Sequence, residues 1–200
     1  MSTDWRARKR AATRQSIQDH ALRLFAEKGY EATTVDEIAT ASGVSHMTFF
    51  RYFPRKEAVV EYDEYDPMLE KLIIGRPADE PALTALHHAI RKGVQAVVGT
   101  ERDALLQRTR LILDNPALRS RNILAQDETR DLFARALARR AGLAEPDLTC
   151  VVQASAALGA VAPAITAWAQ ADDAGLEEMI DVAFTALMTG IAPLNGGPQC

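Results

Sequence analysis

Residues 45–53, SHMTFFRYF, crowd hydroxyl, imidazole, guanidinium, phenol and apolar side chains into one short run. Read as a helix, the run places Phe49 and Phe53, four apart, on one inward side. Ser45 is its N-cap, and His46, Met47, Thr48, Phe50, Arg51 and Tyr52 are left largely outside. Such a surface is costly in water unless a partner covers it, and the major groove of DNA, with its donors, acceptors and thymine methyls, would do so. His46, as the first helical residue, would meet a base edge, a phosphate or only water. Arg51 would bind phosphate or pair with an acidic neighbour. Lys56 would stand at the N-terminal end of the following helix, where backbone N–H groups and the positive dipole end already favour a phosphate.

Other chemistry is sparse. The chain has no G-x-S-x-G, H-E-x-x-H, P-loop or G-x-G-x-x-G pattern, so the reading is that it is not an enzyme and carries no cofactor. His87 and His88 are adjacent, a poor ligand set, and no metal site is expected. The acidic run from Glu61 to Asp66 reads as a solvated face. His87, Thr109 and Gln153 each fall among apolar neighbours, as polar groups lining a small-molecule pocket do, and also as polar groups in any imperfect core do. Arg6, Arg8, Lys9 and Arg10 form either an arm that tracks DNA or a solubilising tail. Two cysteines, Cys150 and Cys200, make neither a disulfide framework nor a metal-ligand spacing.

The presenting elements follow from local signals. Thr34 and Glu37 form a Thr-x-x-Glu capping box that opens a helix with Val35, Ile38 and Ala39 inward. Gly43 ends that helix in the left-handed conformation, and Val44 plugs back beneath the turn. Before it, Ile17, Ala21, Leu24 and Phe25 mark an amphipathic helix over 13–28, stopped by Gly29. After it, Pro54 sets a boundary, and a short helix begins near Arg55 or Lys56. A break is expected between Tyr62 and Pro67, and a loop over 75–81, GRPADEP. Further helices are expected from Pro81 to Gly99, Arg102 to Asp114 and onward to Arg140 with a break near Ser120. The next opens at Pro146 with a kink at Pro163, and the last follows Gly175. With no strand-forming alternation, the fold class is all-α. The domain reading is a three-helix head over 1–57, a helical body over 58–192 and a disordered tail over 193–200.

Charge agrees with that division. The whole chain has a net charge of −4, but residues 1–57 carry ten Lys/Arg against seven Asp/Glu, while residues 58–200 carry thirteen against twenty. A basic head ahead of an acidic body suits contact with phosphate. With 48% hydrophobic residues the chain can bury a substantial core. No uninterrupted apolar run reaches about 18 residues, the length of a bilayer span, and the N-terminus lacks a signal-peptide core, so a cytoplasmic protein without a membrane partner is expected.

The run TRQSIQDHALRLFAEKGYEATTVDEIATASGVSHMTFFRYFPRKEAVV resembles the DNA-binding domain of TetR-family transcriptional regulators. The specific parts are LFAEKGYEATTVDEIA, the turn ASGVS and TFFRYFPRKEAVV. The loop RPADEPAL and the late tryptophan Trp168 are similar to an actinobacterial subset of the family, some of them linked to mycofactocin. The resemblance implies an N-terminal three-helix helix-turn-helix DNA-binding domain and a C-terminal ligand-binding and dimerisation domain. It implies that Thr33 and Thr34 touch backbone phosphate, that Ser45, His46, Met47 and Thr48 point into the major groove, that Phe50 and Tyr52 flank the backbone, and that Lys56 binds phosphate. Met47, Phe50 and Arg55 depart from the commonest family pattern, so base preference does not carry over. The implied partners are a palindromic double-stranded DNA operator, a small-molecule effector and a second copy joined through the last two helices, the chain acting as a repressor released by its effector. The alternative is a helical small-molecule-binding protein or enzyme that keeps a vestigial DNA-binding head.

Overall fold

The computed structural model of the chain describes residues 2–62, 65–171 and 175–190. Its elements, among these residues, are all helical: α1 (Ser2–Lys28), α2 (Val35–Ala41), α3 (His46–Tyr52), α4 (Glu57–Glu61), α5 (Asp66–Ile74), α6 (Ala82–Asp114), α7 (Pro116–Arg140), α8 (Leu148–Gln170) and α9 (Leu176–Thr189). The expected disordered tail, with Cys200, lies outside the described residues.

The chain forms two compact units, Met1–Tyr62 with Asp103–Asn122 and Asp63–Arg102 with Ile123–Cys200. The first is larger than the expected head over 1–57. Its core gathers Ile17, Ala21 and Phe25 of α1, Ile38 of α2, Phe49 and Phe53 around α3, Val59 and Val60 of α4, and Leu118 of α7. The end of α6 and the start of α7 thus belong to this unit by burial, although they follow the helix-turn-helix by some fifty residues.

Two local expectations are revised. The helix expected over 13–28 begins at Ser2, because the run between is rich in Ala, Arg and Lys and holds no Gly or Pro to stop it. The two helices expected between Pro81 and Asp114 meet where the sequence places their junction: α6 is kinked at Glu101 (φ −135°, ψ 26°), between the expected stop near Gly99 and the expected start near Arg102. The break expected near Ser120 is absent. α8 continues through Pro163, as expected of that helix. Where the chain passes from α4 toward α5, Tyr62 turns to extended backbone and Pro67 sits in the first turn of α5, as the break before Pro67 requires.

In the second unit α8 packs on α9. Trp168, Leu176, Ile180 and Phe184 are fully buried there. α5 approaches α6 closely at Gly93, where a Cβ would lie 2.6 Å from Leu69 Cδ2. α8 is the one helix among the described residues long and apolar enough to cross a membrane by length and composition.

The turn between α2 and α3 is a capped glycine turn that ends α2 and leads into α3. Gly43 has φ +68°, its N–H donates to the Thr40 carbonyl, and the Val44 N–H reaches back to the Ala39 carbonyl at 2.9 Å, the paired bonds of a Schellman cap. A Cβ at Gly43 would meet nothing within 4 Å, so any penalty there is purely conformational. Gly43→Ala is therefore expected to destabilise the protein by about 1–2 kcal/mol, measured by urea unfolding.

Candidate nucleic-acid interface

α3 has only seven residues, too few for a helix stable by itself, so its placement rests on its caps and its buried side. Ser45 Oγ accepts the Thr48 N–H at 3.2 Å and donates its own proton to Thr48 Oγ1 at 2.9 Å. Thr48, half-buried, keeps its hydroxyl hydrogen for an acceptor. Phe49 is 0% exposed and Phe53 2%, their rings 5.9 Å apart. With that side buried, Met47 is 77% exposed and Phe50 39%. The His46 ring stands edge-on to Phe50 at 4.8 Å, and His46 Nε2 lies 3.6 Å from Asp36 Oδ1. The outer face of α3 is thus an apolar ridge of Met47 and Phe50, flanked by a hydroxyl and an imidazole.

α2 is fixed by its predicted capping box: Thr34 Oγ1 accepts the Glu37 N–H, and Glu37 accepts from both the Thr34 N–H and its hydroxyl. Lys28 donates to the same carboxylate at 2.6 Å, and these bonds, Lys28's first, hold the Glu37 carboxyl down at about 2. The Thr34 hydroxyl is therefore engaged with Glu37.

Two expected phosphate ligands are placed differently from their neighbours. Thr33 is 1% exposed, and its hydroxyl is turned inward to the Gly29 carbonyl at 2.9 Å and the Leu24 carbonyl at 3.3 Å, closing the C-terminal end of α1. Lys56 extends its ammonium under the Gly29–Thr34 bend, donating to the Tyr30 and Thr33 carbonyls at 2.8 and 3.1 Å and lying 4.2 Å from the Tyr30 ring centroid. Both groups brace the loop that leads into α2, and neither points its charge or hydroxyl outward. Tyr52 is half-buried; its carbonyl accepts from Arg14, and Arg51 lies over its ring at 5.5 Å.

The structure adds Arg14 and Gln18, which sequence reasoning passed over. Arg14 stacks over Tyr62 at 4.6 Å and Phe53 at 5.6 Å while donating to the end of α3. Gln18, 3% exposed, donates both amide hydrogens to the Val59 and Tyr62 carbonyls that end α4. The signal was their register, since Arg14, Gln18, Ala21 and Phe25 share one helical face. Arg55 and Arg121 both pair with Glu61 beside them.

The candidate effector residues are divided between the two units. Thr109 belongs to the first unit, where its hydroxyl bonds back to the Leu105 carbonyl. His87 and Gln153 belong to the second; His87 stacks on Phe184 at 4.8 Å and meets Asp181 at 2.7 Å, and Gln153 is half-buried on α8. Neither unit alone brings the three together. No group of three or more potential metal ligands occurs among the described residues.

Two short capped helices joined by a tight glycine turn, the second offering a polar and apolar outer face, define a helix-turn-helix module on an all-helical protein. Residues 17–62 match the family model described as bacterial regulatory proteins, tetR family, and residues 80–192 match the MftR C-terminal domain. The chain belongs to the TetR family of transcriptional regulators. It is 28% identical over 191 residues to the protein of Mycobacterium tuberculosis named as mycofactocin biosynthesis transcriptional regulator MftR, covering 94% of this chain and 96% of that one. It is 35% identical over 149 residues to the HTH-type transcriptional regulator TcmR of Streptomyces glaucescens, covering 69% and 64%. Among solved structures, the Thermus thermophilus TetR-family repressor FadR, in complex with lauroyl-CoA, superposes with a TM-score of 0.53 at 25% identity over 92% of this chain and 100% of that one.

Because Lys56 is occupied internally, Lys56→Met is expected to lower stability by about 1–3 kcal/mol in urea unfolding through its lost charge-assisted bonds. The salt dependence of DNA binding by the folded variant should stay as in the wild type, measured by fluorescence anisotropy.

Proposed function

We propose that the chain is a homodimeric, ligand-responsive repressor that binds a palindromic operator with one α3 in each of two successive major grooves and is released by a small molecule. The observation that carries this reading is the outer face of α3, where Met47 is 77% exposed beside His46, Thr48 and Phe50 while Phe49 is sealed beneath. Ser45, His46, Met47 and Thr48 would face base edges, the Met47 and Phe50 ridge would favour thymine methyls, and Tyr52 would border the backbone. Thr34 approaches phosphate through the N-terminal end of α2; Thr33 and Lys56 act as braces.

A second face supports the dimer. α8 has no charged residue, and Leu148, Val152, Ser155, Gly159, Pro163 and Ala167 form an exposed stripe along it at helical spacing. On α9, Val182 is 67% exposed on the side away from buried Ile180 and Phe184. A second copy would cover both in a four-helix seam, which gives the membrane-like composition of α8 a water-soluble use in the cytoplasm. Val152→Glu combined with Val182→Glu should leave a folded monomer in sedimentation and weaken binding to a two-site operator at least tenfold, one copy then lacking the tethered second contact.

Release would be a population shift. To move the DNA-competent state from 99:1 to 1:99, an effector must bind the other state about 10⁴-fold more tightly. The FadR complex with lauroyl-CoA supports a small molecule as the effector, and the MftR-type body makes a mycofactocin biosynthesis locus the first place to look for an operator.

Selection from a random duplex pool by the purified protein tests the whole. The expected product is an inverted repeat with half-sites about one helical turn apart. Recovery of no enriched sequence at low salt would sink the reading. Thr48→Ala should change which bases are selected at one or two positions per half-site while retaining the repeat, as repeating the selection with that variant would show.

A further inference from the structure

The N-terminal end of α1, which the helix-turn-helix does not need for its core, forms one wall of a cleft of about 920 Å³. Trp5, Arg6, Lys9, Arg10 and Thr13 come from α1 at spacings that share a helical face. Ser45, Thr48, Arg51 and Tyr52, with the Gly43–Val44 turn, make the other wall. Four cations line this space, and no carboxylate is among its lining residues. Trp5 is 60% exposed, with the Lys9 ammonium 5.3 Å from its ring centroid. Arg14, one turn further along α1, ties the two walls together through the Tyr52 carbonyl.

We propose that this cleft seats the sugar–phosphate backbone of the bound duplex beside the groove that α3 enters. The inference rests on α3 being the helix that reads DNA. A major groove is about 12 Å wide and a helix with its side chains is 10–12 Å across, so a helix within it has a backbone strand directly alongside. An element packed against the flank of α3 meets that strand. The chemistry suits it: cations neutralise phosphate, the Trp5 ring offers a flat surface to a deoxyribose, and the indole N–H and Tyr52 phenol donate to phosphate oxygens. Like charges gathered in an open cleft repel one another until an anion enters, and a polyanion enters as one strand.

The test uses the full chain and the duplex that the wild type selects. R6A/K9A/R10A, changes on an exposed helical face that keep helix propensity, should retain the wild-type circular dichroism and thermal transition. Its affinity should fall on the order of tenfold or more, with the slope of log K against log salt shallower by about 2–3 and an unchanged ranking of operator variants. R6K/R10K, which keeps the charge, should retain most of the slope. Neutral methylphosphonates placed singly along each strand should weaken the wild type at one or two positions per half-site, and those positions should cease to matter for R6A/K9A/R10A. If the wild type binds its duplex and R6A/K9A/R10A binds with equal affinity and slope, the cleft proposal is overturned while the regulator reading stands. The same follows if the methylphosphonate pattern does not differ between them. If the wild type binds no duplex at all, both fall together.

Discussion

Burial of Phe49 and Phe53 determines which side of α3 the protein shows to solvent. A seven-residue helix has no stability to spare, and the two rings pin it to α1 and α4 through the same core that holds Ile17, Ile38 and Val59. Once that side is sealed, helical geometry dictates that Met47, Phe50 and Thr48 point away from the core, whatever their individual preferences. The Gly43 turn sets the entry angle, Ser45 begins the helix, and Arg14 holds its last carbonyl. The recognition surface is therefore a by-product of packing on the opposite side, and a fault in that packing would disturb every exposed position at once.

The helix-turn-helix was readable from the chain because its determinants are local. The Thr34–Glu37 box, the Gly43 cap and the Ser45 cap each act across five residues or fewer, and each is present in the structure with the expected partners. Longer-range decisions were not readable in the same way. Nothing in the neighbourhood of Lys56 says that its ammonium will find two carbonyls some twenty-five residues earlier, and a lysine before a helix is ordinarily free to face solvent. Thr33 likewise stands beside an exposed cap yet turns inward to end α1. The continuation of α1 to Ser2 needed only the absence of a breaker, a signal easily read as disorder when the run is highly charged.

The body of the protein was harder to read for a different reason. Its polar residues on apolar faces, His87 above all, satisfy one another: Asp181 is shared between His87 and Arg91, and Glu80 between Arg76 and His88. Periodicity reports that such a residue faces inward, but not whether a partner from another helix waits there. A pocket residue and a paired core residue give the same pattern along the chain, and only the fold separates them.

The route of α6 bears on how such proteins exchange parts over evolution. Its first twenty or so residues lie in one compact unit and the remainder in the other, with Glu101 marking the change of course. Leu118, just beyond it, is 2% exposed within the core that also contains Val59 and Val60. A DNA head transplanted as residues 1–62 alone would arrive with a hole where Leu118 belongs. The two units are thus each compact in space but interleaved along the sequence. Recombination that respects the sequence boundary must be followed by repair of a core assembled from both sides of the cut.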